Sequence, residues 1–310
     1  MPVLAGGGTR LPVHVGVLAA LEELGVGYSR LVGVSGGSIV AALHAAGWTA
    51  ARLLDLAFEV DFSQFRGHSL IELVRHGGLS SGDIFERWLD DLLEGKRFID
   101  LDRDLAVMAT DVRAGRPVIF ERRTTPTVKV ARAVRCSMGI PLLFSFQPWE
   151  DALLVDGSIL SEDALHRDWA GDGTPVCVFR MRSETMAPQR PPMPWFPLIG
   201  YIHMLIRTFM TTISREFVDA QYWPRTVIIN CGQYSPLEFQ LDRLQKTDLY
   251  QRGYNTTRAI LPTKFQFPES QSTMTVALDY PQRPSSIVPL PVTEMLATTL
   301  HQSDNPLRSL

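Results

Sequence analysis

The chain has 310 residues, 45% of them hydrophobic and 20% charged, which fits an ordinary globular protein long enough to bury a full core. Its net charge of −3 gives no global pull towards nucleic acid or membrane, and no nucleic-acid partner is expected. The three cysteines, Cys136, Cys177 and Cys231, match neither a metal spacing nor a disulfide framework; they predict a reducing, cytoplasmic setting and no metal centre.

In chain order, Val3-Leu4-Ala5 reads as a short strand, with no charged and apolar leader of the secretory type before it. The loop Gly6-Gly7-Gly8-Thr9-Arg10 follows. Pro12 then suits a first helical turn, and Val13, Val17, Leu18, Leu21 and Leu24 give that helix an apolar face ending at Gly25. A strand at Leu31 to Gly33 leads through Val34-Ser35-Gly36-Gly37 into a helix over Ser38 to Ala46. Gly47 closes that helix and Thr49 is placed to cap the next. This βαβα order predicts an α/β fold: a mostly parallel, mixed central sheet between two helical layers.

Further along, Ser81 is placed to cap a helix carrying Ile84, Phe85, Trp88, Leu89, Leu92 and Leu93. Ala106 to Ala109 and Val118 to Phe120 read as a strand pair turning through Arg113-Ala114-Gly115-Arg116. Val130 to Ser137 reads as a helix, Leu153 to Val155, Val176 to Phe179 and Val227 to Ile229 as strands, and Leu198 to Phe217 and Leu249 to Ile260 as late helices. The apolar run around Trp195 to Ile206 is too short and interrupted to span a bilayer. Prolines at 262, 268, 281, 284, 289 and 291 break every later period. The reading is a domain over residues 1–262 and a loosely structured tail over 263–310.

Three separated pieces fit one chemistry. Gly33-Val34-Ser35-Gly36-Gly37 has the form of a nucleophile elbow, a strand-to-helix turn that lifts a serine hydroxyl out of the backbone; a plain glycine-rich helix cap is the alternative. Gly6, Gly7 and Gly8 can present backbone N–H groups to an oxyanion, whereas the phosphate-loop reading lacks its Gly-Lys-Ser/Thr. Asp156-Gly157 follows a strand directly, where α/β folds place active groups, although a structural turn has the same spelling.

Together, Gly-Gly-Gly-x-Arg, Gly-x-Ser-x-Gly and Asp-Gly resemble the patatin-like phospholipase family. The resemblance extends through residues 15–23, Gly78-Leu79-Ser80-Ser81-Gly82, residues 109–117, Ser137-Met138-Gly139-Ile140-Pro141 and Tyr250-Gln251-Arg252-Gly253-Tyr254, covering roughly residues 3 to 261. It implies a serine acyl hydrolase that needs no cofactor and works through a Ser35–Asp156 dyad. Gly6, Gly7 and Gly8 would be its oxyanion hole, with Arg10, Gly33, Gly37 and Gly157 supporting the motifs. Phospholipid or lysophospholipid is the implied substrate, with peripheral membrane contact and no nucleic acid. A lipid transacylase, or a lipid-binding protein that has kept the fold without turnover, are the alternatives. Ser158 stands where the family usually has Gly or Ala, and Leu11 where it often has Gly or Lys.

The remaining residues test that reading. A triad would need a late histidine, but His166, His203 and His301 follow no strand in a suitable loop. A carboxylate with an ordinary pKa near 4 is a weak base at neutral pH, so Asp156 is expected to touch Ser35 directly. Arg10 could bind a lipid phosphate or pin the glycine loop. Arg113, Arg116, Arg122, Arg123, Lys129, Arg132 and Arg135 read as a solvated basic face or an anionic-headgroup contact. The helix with Ile199, Ile202, Ile206, Phe209, Met210, Ile213 and Phe217 is expected to pack on the sheet, with an acyl-chain groove as the alternative.

Overall fold

The computed structural model describes residues 1–67, 69–159, 162–184, 200–202, 204–206, 208 and 218–265. The chain opens with β1 (Pro2–Leu4), α1 (Leu11–Glu23), β2 (Arg30–Val34), α2 (Gly36–Ala45) and α3 (Ala50–Glu59). Next come α4 (Leu70–His76), β3 (Gly78–Ser80), α5 (Asp83–Leu92), β4 (Asp104–Asp111), β5 (Arg116–Glu121) and α6 (Val130–Ser137). Then follow β6 (Leu142–Phe144), β7 (Gln147–Trp149), β8 (Ala152–Val155), α7 (Glu162–Leu165), β9 (Cys177–Arg182), β10 (Thr226–Asn230) and α8 (Arg243–Lys264).

Local chemistry sets most boundaries. Pro12 lies in the first turn of α1, where its missing N–H costs nothing. Thr49 caps α3 by accepting the Arg52 N–H at 3.3 Å. Among the boundaries that differ from the sequence reading, two have a clear local cause. The cap of α5 is Gly82 (φ 77°), one residue beyond Ser81, because the chain must turn through left-handed space there; Ser81 Oγ still accepts the Asp83 N–H. Pro262 sits inside α8 and does not end it. It forfeits one backbone bond in the last turn, while the neighbouring Leu261, buried in the core, keeps that turn in place. The tail over 263–310 lies outside the described residues from 266 onward.

The main sheet has the order β10-β9-β1-β2-β4-β8-β7, with β5 on the other edge of β4. The five strands from β10 to β4 are mutually parallel, and β5, β7 and β8 are antiparallel additions. Alternate side chains of the parallel strands point to opposite faces. Leu4, Leu31, Val107, Phe179 and Ile229 join the core built with α1, α2, α3, α5, α6 and α8. Val3, Val32, Val34, Met108 and Val178 face Leu165 and Trp169 on the other side. The strands are therefore apolar on both faces, and the architecture is the expected three-layer α/β/α sandwich.

One detail of register positions the site. β2 pairs with β4 only as far as Val34 opposite Met108. Beyond that point β8, running the other way, takes over the same edge of β4, with Val155 opposite Thr110. The two strands thus meet end to end, and the residues leaving them are Ser35 and Asp156. A small second sheet pairs β3 with β6. Its Leu79, Leu143 and Phe144 pack with Ile140, Ile202 and Ile206, so the described part of the late apolar helix covers this small sheet and not the main one.

Candidate active site

Ser35 closes β2 and opens α2, at φ 50° and ψ −131°. A residue with a Cβ is strained in this region, and the neighbours hold it there. The Ser35 N–H donates to Ser137 Oγ at 2.8 Å, and Ser137 Oγ donates in turn to the Met108 carbonyl at 2.6 Å. The Ser35 carbonyl accepts from the N–H and the hydroxyl of Ser38, at 2.8 and 2.6 Å. Gly33 and Gly37 lie where strand, helix and β1 touch; a Cβ on Gly33 would reach Ser38 Cα at 2.5 Å, and one on Gly37 the Leu4 carbonyl oxygen at 2.2 Å.

Ser35 Oγ donates to Asp156 Oδ2 at 2.7 Å, and both residues are 1% exposed. The direct contact expected from sequence is present. The other carboxylate oxygen accepts the Ser158 N–H at 2.8 Å, and the Asp156 N–H donates to Gly139 O at 2.9 Å. Gly157 lets this turn pass under β4, since a Cβ there would come within 2.1 Å of the Met108 carbonyl oxygen. Burial pushes the Asp156 carboxyl up to about 6, and the bonds from Ser35 and Ser158 restrain the rise. The ordinary value near 4 expected from sequence is thereby corrected: a fully desolvated carboxylate is a stronger base.

Gly6, Gly7 and Gly8 run alongside, and among the described residues no acceptor takes their N–H groups. Arg10 is fully buried, with its Nε bonded to the Gly7 carbonyl at 2.9 Å and its terminal nitrogen to Ser183 Oγ. These bonds hold the glycine loop from a buried position. The loop after β10 holds the other side, where Thr9 donates from its N–H to Pro236 O and from its hydroxyl to Glu238 O.

Among the described residues, the histidines are engaged elsewhere. His166 bonds Thr226 Oγ1 and stacks on Tyr222, His14 Nε2 pairs with the Ala5 carbonyl, and His44 bridges Tyr28 and the Trp48 carbonyl. His203 and His301 lie outside the described residues. Among the described residues, no three His, Cys, Asp or Glu side chains converge as a metal-ligand set. The basic stretch is partly solvated, with Arg113, Arg116, Arg123 and Lys129 exposed, and partly paired: Lys129 with Asp90, Arg132 with Glu86 and Arg116 with Asp111, while Arg135 is buried against the Ser81 and Ser145 carbonyls.

Sequence reasoning gave no role to Ser137, Met138 or the groove beside them. From Gly8 and Met138 an apolar cleft runs between Ile39, Phe65, Leu143 and Phe144. Ser137-Met138-Gly139 carried the only written signal; the aromatic walls come from four distant segments.

The patatin-like phospholipase family model matches residues 3–166, over half of the chain. The chain belongs to the patatin-like phospholipase family. Among its relatives is the uncharacterized protein YqhO of Bacillus subtilis (strain 168), 26% identical over 84% of this chain and 97% of that protein. Another is the uncharacterized NTE family protein Mb2594 of Mycobacterium bovis, 31% identical over 57% of this chain but only 29% of the relative's length. The crystal structure of VipD from Legionella pneumophila superposes with a TM-score of 0.60 at 14% identity, over 85% of this chain and 67% of that one, and so shares the fold. In this patatin-like phospholipase the family match ends at Leu165-His166, just past Asp156, so α8 and the loop holding Thr9 lie beyond it.

Proposed function

We propose that this patatin-like phospholipase is a serine acyl hydrolase of the phospholipase A or lysophospholipase type, working through Ser35 and Asp156. The 2.7 Å bond from Ser35 Oγ to Asp156 Oδ2, inside a site with no histidine bonded to either group among the described residues, carries this reading. Ser35 Oγ attacks the ester carbonyl carbon as Asp156 takes its proton, and the carbonyl electrons move to an oxygen facing the N–H groups of Gly6, Gly7 and Gly8. The tetrahedral intermediate collapses, the lysolipid alkoxide leaves with the proton from Asp156, and the acyl group stays on Ser35. Water then attacks that ester as Asp156 again accepts the proton. Release of the fatty acid returns the proton to Ser35.

Two features support a lipid substrate. The cleft beginning at Gly8 and Met138 is walled by aliphatic and aromatic side chains, as an acyl chain requires. The segments that carry Leu73, Ile202 and Ile206 pack against Leu143 and Phe144 of the cleft wall, and on those segments Ile71 and Val74 of α4 are 67% and 85% exposed, with Tyr201, Met204 and Leu205 also exposed. Such side chains suit peripheral contact with a lipid surface. No helix among the described residues is long and apolar enough to cross a membrane.

The test is fatty acid release from phosphatidylcholine and lysophosphatidylcholine vesicles, together with labelling by a fluorophosphonate probe. Ser35→Ala is expected to abolish labelling, and Asp156→Asn to cut turnover by at least about 10³-fold. Undiminished release by folded Ser35→Ala would refute the proposal. Transfer of the acyl group to a lipid alcohol without free fatty acid would identify a transacylase.

A further inference from the structure

We propose that the hydroxyl of Ser158 is a side-chain donor to the oxyanion, added to the backbone donors of the glycine loop. The inference rests on the acyl-transfer reading above. Ser158 lies in the short turn Gly157–Ile159 that follows Asp156. Its N–H is committed to Asp156 Oδ1 at 2.8 Å. Its Oγ is buried and makes no hydrogen bond of good geometry, although it lies close enough to the Asp156 carboxylate to help hold that group's pKa down. A buried hydroxyl without a partner costs free energy unless something arrives to use it, and native proteins rarely leave one so.

The surroundings indicate what arrives. A Cβ placed on Gly6 would lie 2.0 Å from Ser158 Oγ and 3.3 Å from Ser35 Cβ. The orphan hydroxyl, the nucleophile and the first glycine of the loop therefore border one small space, held open because residue 6 has no side chain. The Gly6 N–H is also without an acceptor among the described residues. Two donors, one from the backbone and one from a side chain, thus flank the point beside Ser35 where negative charge develops. A hydroxyl can rotate towards that charge at little cost, whereas Gly or Ala at this position could contribute no such donor.

The rival use of this hydroxyl is a bond to the Asp156 carboxylate, and the two predict different signatures. An oxyanion donor acts in the transition state only, so its loss lowers kcat and leaves KM alone. A donor to Asp156 lowers that group's pKa, so its loss moves the acid limb of the pH profile upward.

The experiment compares the wild type with Ser158→Ala and Ser158→Cys on a soluble p-nitrophenyl ester. It also measures inhibition by an alkyl trifluoromethyl ketone, to whose carbonyl Ser35 adds to leave an oxyanion in the cradle. The expected result for Ser158→Ala is kcat down about 10- to 100-fold, KM within about twofold and the inhibitor weakened by the same factor as kcat, with any upward shift of the acid limb accompanying these losses and not replacing them. Ser158→Cys, a similar shape with a weak donor, is expected to fall between. Unchanged kcat and inhibitor affinity in folded Ser158→Ala would overturn the proposal, as would an acid limb displaced upward with inhibitor affinity retained. Ser35→Ala serves as the separate control: if it still turns over ester, the acyl-transfer reading fails whatever Ser158 does.

Discussion

Ser35 holds a backbone conformation, φ 50° and ψ −131°, that glycine adopts readily and serine does not. Strain of this kind costs about 1–3 kcal/mol and persists because Ser137, Ser38 and Asp156 bind the residue on three sides. Ser35→Gly should therefore melt higher than Ser35→Ala by a few degrees, since relief of strain exceeds the extra chain entropy of glycine, about 0.4–1 kcal/mol. Both variants should be inactive. Equal melting of the two by calorimetry would show that the elbow is unstrained. At the same scale, the proposed mechanism requires Asp156 to be ionised when it accepts the Ser35 proton. Burial raises its carboxyl to about 6, so kcat/KM on a soluble ester should fall below about pH 6 with a single limb. A limb near the ordinary carboxylate value would mean that Asp156 is solvated in the free enzyme or is not the base.

Among the elements, those with a strong local signal were legible in the sequence. Val130–Ser137 is helical residue for residue, α1 carries its proline where expected, and the strand before Ser35 is lengthened by only one residue at each end. Some short elements were not legible. The pair β3 and β6 has three residues in each strand and exists through contacts between segments about sixty positions apart, so no local period announces it. α4 escaped for a related reason: none of its seven residues is buried, so it has no apolar stripe facing a core. That same exposure gives α4 a testable use. Ile71→Ser and Val74→Ser together should leave stability within about 0.5 kcal/mol and leave hydrolysis of a soluble ester unchanged, because neither side chain supports the fold. Hydrolysis of phospholipid vesicles should drop severalfold, measured as fatty acid release alongside vesicle sedimentation. Equal loss on both substrates would place the effect in the site and remove α4 from any role at the lipid surface.

Over the whole molecule, the order βαβα dictated parallel strands, and the glycine loop, Ser35 and Asp156 were each readable from their neighbours. Their meeting was not. It depends on β8 reversing direction and continuing the edge of β4 where β2 stops, a long-range choice that Leu153-Leu154-Val155 does not spell out. That assembly buries an ionisable group and links its charge to the stability of the entire fold. Asp156 binds its proton more tightly folded, at about 6, than unfolded, at 3.8. The stabilisation from this difference is full below the unfolded value and is lost as pH rises through the folded one. His14, pushed down to about 4 by burial, acts in the opposite sense: the folded molecule resists its protonation, so acid below about 6.5 destabilises. A melting curve of the wild type alone would mix the two effects. Comparison with Asp156→Asn separates them, because His14 is common to both proteins. The variant's advantage should grow from pH 4 to pH 6 and then level off, reaching on the order of 3 kcal/mol, or several degrees in Tm. A melting difference that is flat across this range, or that shrinks as pH rises, would show that the carboxylate is not held ionised at a cost, and that Asp156 is not the desolvated base the register of β8 creates.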